Sequence, residues 1–145
     1  MQGYAGGKAT SQYLAQRVQG ASPELLVAML LEGGQRFLNL AVNAMKARDL
    51  PSQARYVNRV ADIILALRER LNFEEGGELV ENLVRIYDWW TDVLFDASMK
   101  AEPERLQMIS NQMGSMRASW EELDRRRTIS DKPEAPSVSL GDLSV

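Results

Sequence analysis

Four stretches of this chain repeat apolar residues every three or four positions, and each is bounded by a helix breaker. That combination constrains the fold more than any other feature, because the period is that of a helix and the breakers set its ends. Ser22-Pro23-Glu24 opens the first helix: Ser22 caps, Pro23 fits the first position, and Glu24 meets the positive end of the dipole. Leu26, Leu30, Gly33, Phe37, Ala41 and Ala44 then form its stripe, broadened by Leu25, Met29 and Leu40, as far as about Arg48. Gly33 and Gly34 inside it each cost about 1 kcal/mol relative to alanine. Their presence predicts close approach by another backbone or a bound segment.

Asp49-Leu50-Pro51-Ser52 is the first break. The second helix carries Val57, Val60, Ala61, Ile64, Leu67 and Leu71, with Tyr56 and Ile63 off the stripe. Gly76-Gly77 then offers the positive-φ residue that closes a helix. Glu78 and Glu81 fall in the first turn of the next, where the dipole favours negative charge. That third helix carries Leu79, Leu83, Ile86, Tyr87, Trp90, Val93, Leu94 and Ala97, and ends near Lys100. Glu102-Pro103-Glu104 starts the fourth, whose Leu106, Ile109, Met113, Met116, Trp120 and Leu123 make a narrow seam.

Short connections force neighbouring helices to run antiparallel. The expectation is therefore all-α: an antiparallel up-down four-helix bundle over residues 21–127, preceded by a short N-terminal segment, 1–20. Residues 128–145 turn to Ser, Pro, Asp and Gly, too little apolar surface to offset ordering, so a disordered C-terminal tail is expected. No stretch alternates Val, Ile or Thr with polar residues for long enough to compete as a strand.

The composition narrows the chemistry. Cysteine and histidine are both absent, which removes disulfides, thiolate nucleophiles, Cys/His metal sites and imidazole acid-base catalysis. A di-iron bundle needs Glu-x-x-His on two helices, and the carboxylates here fall opposite the apolar stripes. Gly3-Tyr4-Ala5-Gly6-Gly7-Lys8 has the wrong spacing for a phosphate loop, and Ala9 stands in place of its Ser/Thr. The reading is a non-enzyme without cofactor or metal. The net charge of −3 draws it to neither nucleic acid nor anionic lipid, and Arg125-Arg126-Arg127 reads as a solvated helix end. The longest apolar run, Leu25 to Leu31, is too short to span a bilayer, and no leader is evident, so the expected location is cytoplasmic.

What remains is surplus apolar surface. Trp89 and Trp90 are adjacent, so on one helix they point about 100° apart. With Trp90 in the core, Trp89 lies at its margin. Ile63 and Ile64 stand in the same relation. One reading is a broad core; the other is a groove that accepts an amphipathic or extended peptide.

From Tyr13 to Asp124 the chain resembles the flagellar secretion chaperone FliS family, the flagellin export chaperones. The likeness rests on Ser22-Pro23-Glu24-Leu25-Leu26 with Arg36-Phe37-Leu38, then Asn58, Ile63-Ile64, Leu67 and Leu71, then Gly77-Glu78, Asn82-Leu83 and Tyr87-Asp88, and finally Trp120. Asn72 stands where the family usually has Asp, Ser98 where Asn is common, and Trp89-Trp90 is bulkier than its usual pair. The resemblance implies a chaperone that binds the disordered C-terminal segment of flagellin, prevents its premature polymerisation and delivers it to the flagellar export gate. It implies an N-terminal segment that can fold back on the bundle, and Tyr13 is the expected anchor of such a lid. Client contacts are expected from Tyr13, Tyr56, Asn58, Ile63, Leu67, Leu83, Tyr87 and Trp89. Asn58 and Asn82 suit either a partner's backbone or an interhelical hydrogen bond. The alternative is a structural or regulatory bundle of the flagellar system that forms a weak homodimer through the same apolar edge.

Overall fold

The computed structural model describes residues 15–130. Four long helices account for most of them: α1 (Pro23–Lys46), α2 (Leu50–Glu69), α3 (Glu78–Lys100) and α4 (Pro103–Ser130). Residues 15–19 add a helical turn, and no strand occurs among the described residues. The expected all-α bundle is present. Tyr13 and most of the expected tail lie outside the described residues, and α4 continues to Ser130, past the boundary expected at 127.

The chain divides into two compact units, 27–118 and the terminal stretches through Leu26 and from Ser119. The larger unit is a ring of four antiparallel helices. Phe37 stacks on Tyr56 at 6.2 Å between α1 and α2. Gln53 Nε2 donates to the Ser98 carbonyl at 3.1 Å and to Ser98 Oγ at 2.9 Å, joining α2 to α3. Trp90 Nε1 donates to Gln112 Oε1 at 2.8 Å between α3 and α4. Gln35 Nε2 donates to the Ser110 carbonyl at 3.0 Å and closes the ring from α1 to α4. Along each pair one residue number rises as the other falls, which is the up-down order. Leu31, Leu38, Val60, Ile64, Trp90, Leu94, Leu106 and Met113 fill the centre.

In the smaller unit Ser22 Oγ accepts from the Leu25 N–H at 3.0 Å, the cap expected for α1. The Ser22 hydroxyl also donates to Asp124. Arg127 meets Glu24 at 2.7 Å and holds the Glu24 carboxyl below its ordinary range. Arg125 and Arg126 pair with Glu122 on their own helix, and all three arginines stay exposed, as expected of a solvated helix end.

Several expectations need correction. α1 buries Ala28, Leu31, Leu38, Ala41, Val42 and Met45, while Leu26, Leu30 and Phe37 are only half-buried. The face is rotated from the expected stripe because α1 is apolar around more than half its circumference, so many wedges satisfy the period. By length and composition α1 is also apolar enough to cross a membrane, with a best-window mean hydropathy of 1.3. Much of that apolar surface is bundle core. The diglycine does not close α2, which ends at Glu69 with Arg70 as its cap. Asn72 Oδ1 instead accepts from the Glu74 and Glu75 N–H groups at 3.1 and 3.2 Å and turns the loop. Gly76 and Gly77, at φ +45° and +97°, then lead into α3, a path L side chains resist. Leu79, in that opening turn, is 67% exposed rather than core, and Leu123 near the end of α4 is exposed as well.

The close approach predicted at Gly33 and Gly34 is made by side chains rather than a backbone. A Cβ on Gly34 would lie 2.7 Å from Met113 Sδ, and one on Gly33 3.4 Å from Ile63 Cδ1.

Candidate functional site

α3 presents three different surfaces, and their chemistry follows from helical spacing. Tyr87, Trp90, Val93, Leu94 and Ala97 face inward. Trp90 spends its one N–H on Gln112, so its ring is fixed in orientation. Tyr87 packs against Trp90 at 5.7 Å between centroids. Burial pushes the Tyr87 hydroxyl up to about 12, because the phenolate would be desolvated there. The hydroxyl donates to the weak acceptor Met116 Sδ at 3.9 Å.

One residue back from Trp90, Trp89 turns outward and is 45% exposed, as the adjacency argument anticipated. Together with Ile86, Trp90, Gln112, Ser115 and Met116 it lines a cleft of about 410 Å³ between α3 and α4. Apart from Gln112 and Ser115, the lining is aromatic or aliphatic. A large indole held half in water beside a fixed second indole is a surface suited to receiving an apolar side chain.

The residues singled out from the sequence do not gather in one place. Tyr56 and Ile63 are half-buried on the α1 side of α2: Tyr56 against Phe37, Ile63 beside the two glycines. Arg55 lies over the Tyr56 ring at 5.1 Å. Asn58 is exposed, and the 100° step of the helix carries it to the α3 side. Leu67, Leu83 and Tyr87 are buried core residues, so in this conformation they support the surface rather than form it. Trp89 is exposed at the α3–α4 cleft. Asn82 accepts from Arg85 on its own helix, not from a neighbour. Tyr13 lies outside the described residues.

Sequence reasoning assigned Ile86 and Met116 to core stripes and passed over Gln112 and Ser115. The signal for them was spacing: Gln112 and Met116 are one turn apart on the flank of α4, level with the Trp90 indole they border. Buried Gln53 was likewise missed. Its signal was Ser98, which takes both Gln53 bonds where the family usually has Asn.

The fold is an all-α helical bundle with a solvated apolar cleft beside Trp89. The profile of the family described as Flagellar protein FliS matches residues 6–127, and the chain belongs to that family of flagellar secretion chaperones. It is 30% identical over 118 residues to the flagellar secretion chaperone FliSB of Pseudomonas aeruginosa, spanning 79% of this chain and 94% of that one. It is 27% identical over 107 residues to FliS of Vibrio cholerae, spanning 74% and 79%. FliS of Salmonella typhimurium is 23% identical over 115 residues, spanning 79% and 85%.

Proposed function

We propose that this protein is a cytoplasmic export chaperone for flagellin. It captures the disordered C-terminal segment of the subunit, keeps it from polymerising and hands it to the flagellar export apparatus. The observation that carries this reading is the solvated apolar cleft at Trp89, on a bundle of a flagellar secretion chaperone family. The mechanism is burial without chemistry. Apolar side chains of the client that would otherwise seed filament contacts are covered by Trp89, Ile86 and Met116. Tyr56, Ile63 and Asn58 extend the contact to other faces, as a wrapping client requires, while Leu67, Leu83 and Tyr87 hold the framework rigid. Ordering a disordered segment costs free energy, which a large apolar interface offsets. Deletion of residues 1–20 is expected to alter client affinity.

The test is calorimetric titration with a peptide from the last ~40–50 residues of the same organism's flagellin, a span suited to coupled folding on a bundle of this size. One-to-one binding with a large negative heat-capacity change is expected. Trp89→Ala is expected to weaken it by at least about tenfold, the scale of a central aromatic anchor. Absence of binding, with a concentration-dependent dimer instead, would move the function to self-association.

A further inference from the structure

The methionines of this chain stand in three different surroundings. Met45 and Met113 are core residues, and Met113 has no exposed surface at all. Met99, at the end of α3, is 83% exposed and lies outside the lining of the Trp89 cleft. Met116 is unlike either. It is half-buried and lines the cleft, while its Sδ accepts the Tyr87 hydroxyl at 3.9 Å from the core side. The thioether therefore sits on the boundary between the packed interior and a cleft filled by solvent. One sulfur lone pair is engaged by the hydroxyl, and the other is left for chemistry.

A thioether is soft, polarizable and open to oxidation by peroxides. The sulfur lone pair attacks one peroxide oxygen and the O–O bond breaks. The departing hydroxide takes the proton left on the transferred oxygen and becomes water. Sulfur is oxidised by two electrons and the peroxide is reduced by two, giving methionine sulfoxide. At Met116 the oxygen arrives from the open side, because the Tyr87 hydroxyl occupies the other, so it projects into the cleft. There it replaces a flexible apolar surface by a polar one beside Trp89 and Ile86. An apolar side chain entering the cleft would then strip water from a dipole it cannot pair with.

We propose that Met116 is a reversible oxidation site, at which a hydroperoxide turns the Trp89 cleft from an apolar receptor into a polar one. The proposal rests on the reading of that cleft as an apolar capture site. Reversal requires methionine sulfoxide reductases, one for each sulfoxide epimer. A dithiol reductant is oxidised to its disulfide as the oxygen leaves as water.

The test treats full-length protein with hydrogen peroxide and times oxidation at each methionine by peptide mass spectrometry. Met99 is expected first and Met116 next, with Met45 and Met113 protected until the protein unfolds. The cleft is read with indole, an apolar probe, titrated into isotope-labelled protein and followed by NMR at the Trp89 side chain. Oxidation should weaken indole binding roughly tenfold, the scale of an unpaired dipole in an apolar contact. Reductase with dithiothreitol should restore it, and circular dichroism should show the fold retained throughout. Met116→Leu is compared with itself, and peroxide should leave its affinity where it started. Met99→Leu should keep the sensitivity of the parent. Protection of Met116 equal to that of Met113, a Met116 sulfoxide with unchanged indole affinity, sensitivity that persists in Met116→Leu, or no indole response at Trp89 before oxidation would each overturn the proposal. Failure of the flagellin peptide to bind, with indole still responding to Met116 oxidation, would remove the chaperone reading and support this one.

Discussion

Adjacent glycines in α1 should respond to alanine with opposite signs. Both gain helix propensity, about 1 kcal/mol per substitution. Their surroundings differ. At Gly33 the new Cβ lies 3.4 Å from Ile63 Cδ1, the end of a flexible, half-buried side chain, so the gain is largely kept. At Gly34 it lies 2.7 Å from Met113 Sδ and 3.2 Å from Met113 Cε. Contacts of this kind relax at about 3.5–4.0 Å, so the sulfur must withdraw by roughly 1 Å. Met113 is fully buried and has packed neighbours to push against, at an overpacking cost of about 1–3 kcal/mol. Gly33→Ala should therefore stabilise by about 0.5–1 kcal/mol and Gly34→Ala destabilise by about 1 kcal/mol. With a urea slope of ~2 kcal/mol/M, the two unfolding midpoints should lie at least about 0.5 M apart on either side of the parent. Circular dichroism in a urea titration reads this directly. The cause is then isolated by a cycle with Met113→Ala, itself costing about 2–5 kcal/mol. In that background Gly34→Ala should become stabilising, a coupling of about 2 kcal/mol. Equal shifts of the same sign at both glycines, or no coupling to Met113, would refute the reasoning.

Other substitutions probe other parts of the molecule. Ala101 closes α3 at φ +55° with its N–H on the Ala97 and Ser98 carbonyls, so Ala101→Gly should raise stability by about 1 kcal/mol in denaturant titration. Gln53→Ala removes both bonds to Ser98 from a buried site and should cost about 1–3 kcal/mol by the same assay. Tyr87, pushed up to about 12 by burial, stays neutral while the unfolded chain ionises near 10; its stabilising contribution is complete below pH 10 and lost as pH rises through 12. Tyr87→Phe should therefore flatten the fall in stability between pH 10 and 12 by about 2 kcal/mol. Asp96 is held below its ordinary range chiefly by hydrogen bonding from Arg105, with Lys100 adding to it. That contribution is present above the unfolded carboxylate value and lost as pH falls through the folded one, so the stability gap between parent and Asp96→Asn should close in acid titration.

The helix ends were legible because each is fixed by a residue or two whose local chemistry admits few alternatives. Ser22-Pro23 and Glu102-Pro103 open α1 and α4 where expected. Asp49 opens α2 by accepting from the Ser52 N–H at 3.2 Å. Rotation about each axis was legible only where polar residues bracket the apolar ones. α3 has Asp88, Asp92 and Asp96 to mark its outer side, and there the inward set from Tyr87 to Ala97 and the outward turn of Trp89 both match the pattern. α1 lacks such markers between Leu25 and Leu31, so its buried face differs from the expected one. The site was harder to read for a related reason. Periodicity places a residue near the core but does not say whether a neighbouring helix covers it. Leu83 and Ile86 are both on the apolar side of α3, yet one is buried and the other lines the cleft. The difference lies in what α4 sets opposite them, a relation between segments about 30 residues apart. This arrangement also explains how one small bundle can keep a stable core and a solvated apolar seam. The Trp90–Gln112 bond and the fully buried Met113 fix the α3–α4 pair from inside. Trp89 and Met116 can then remain partly in water at little cost to the fold. A substitution at Trp89 should therefore separate binding from stability, whereas one at Trp90 should lose both.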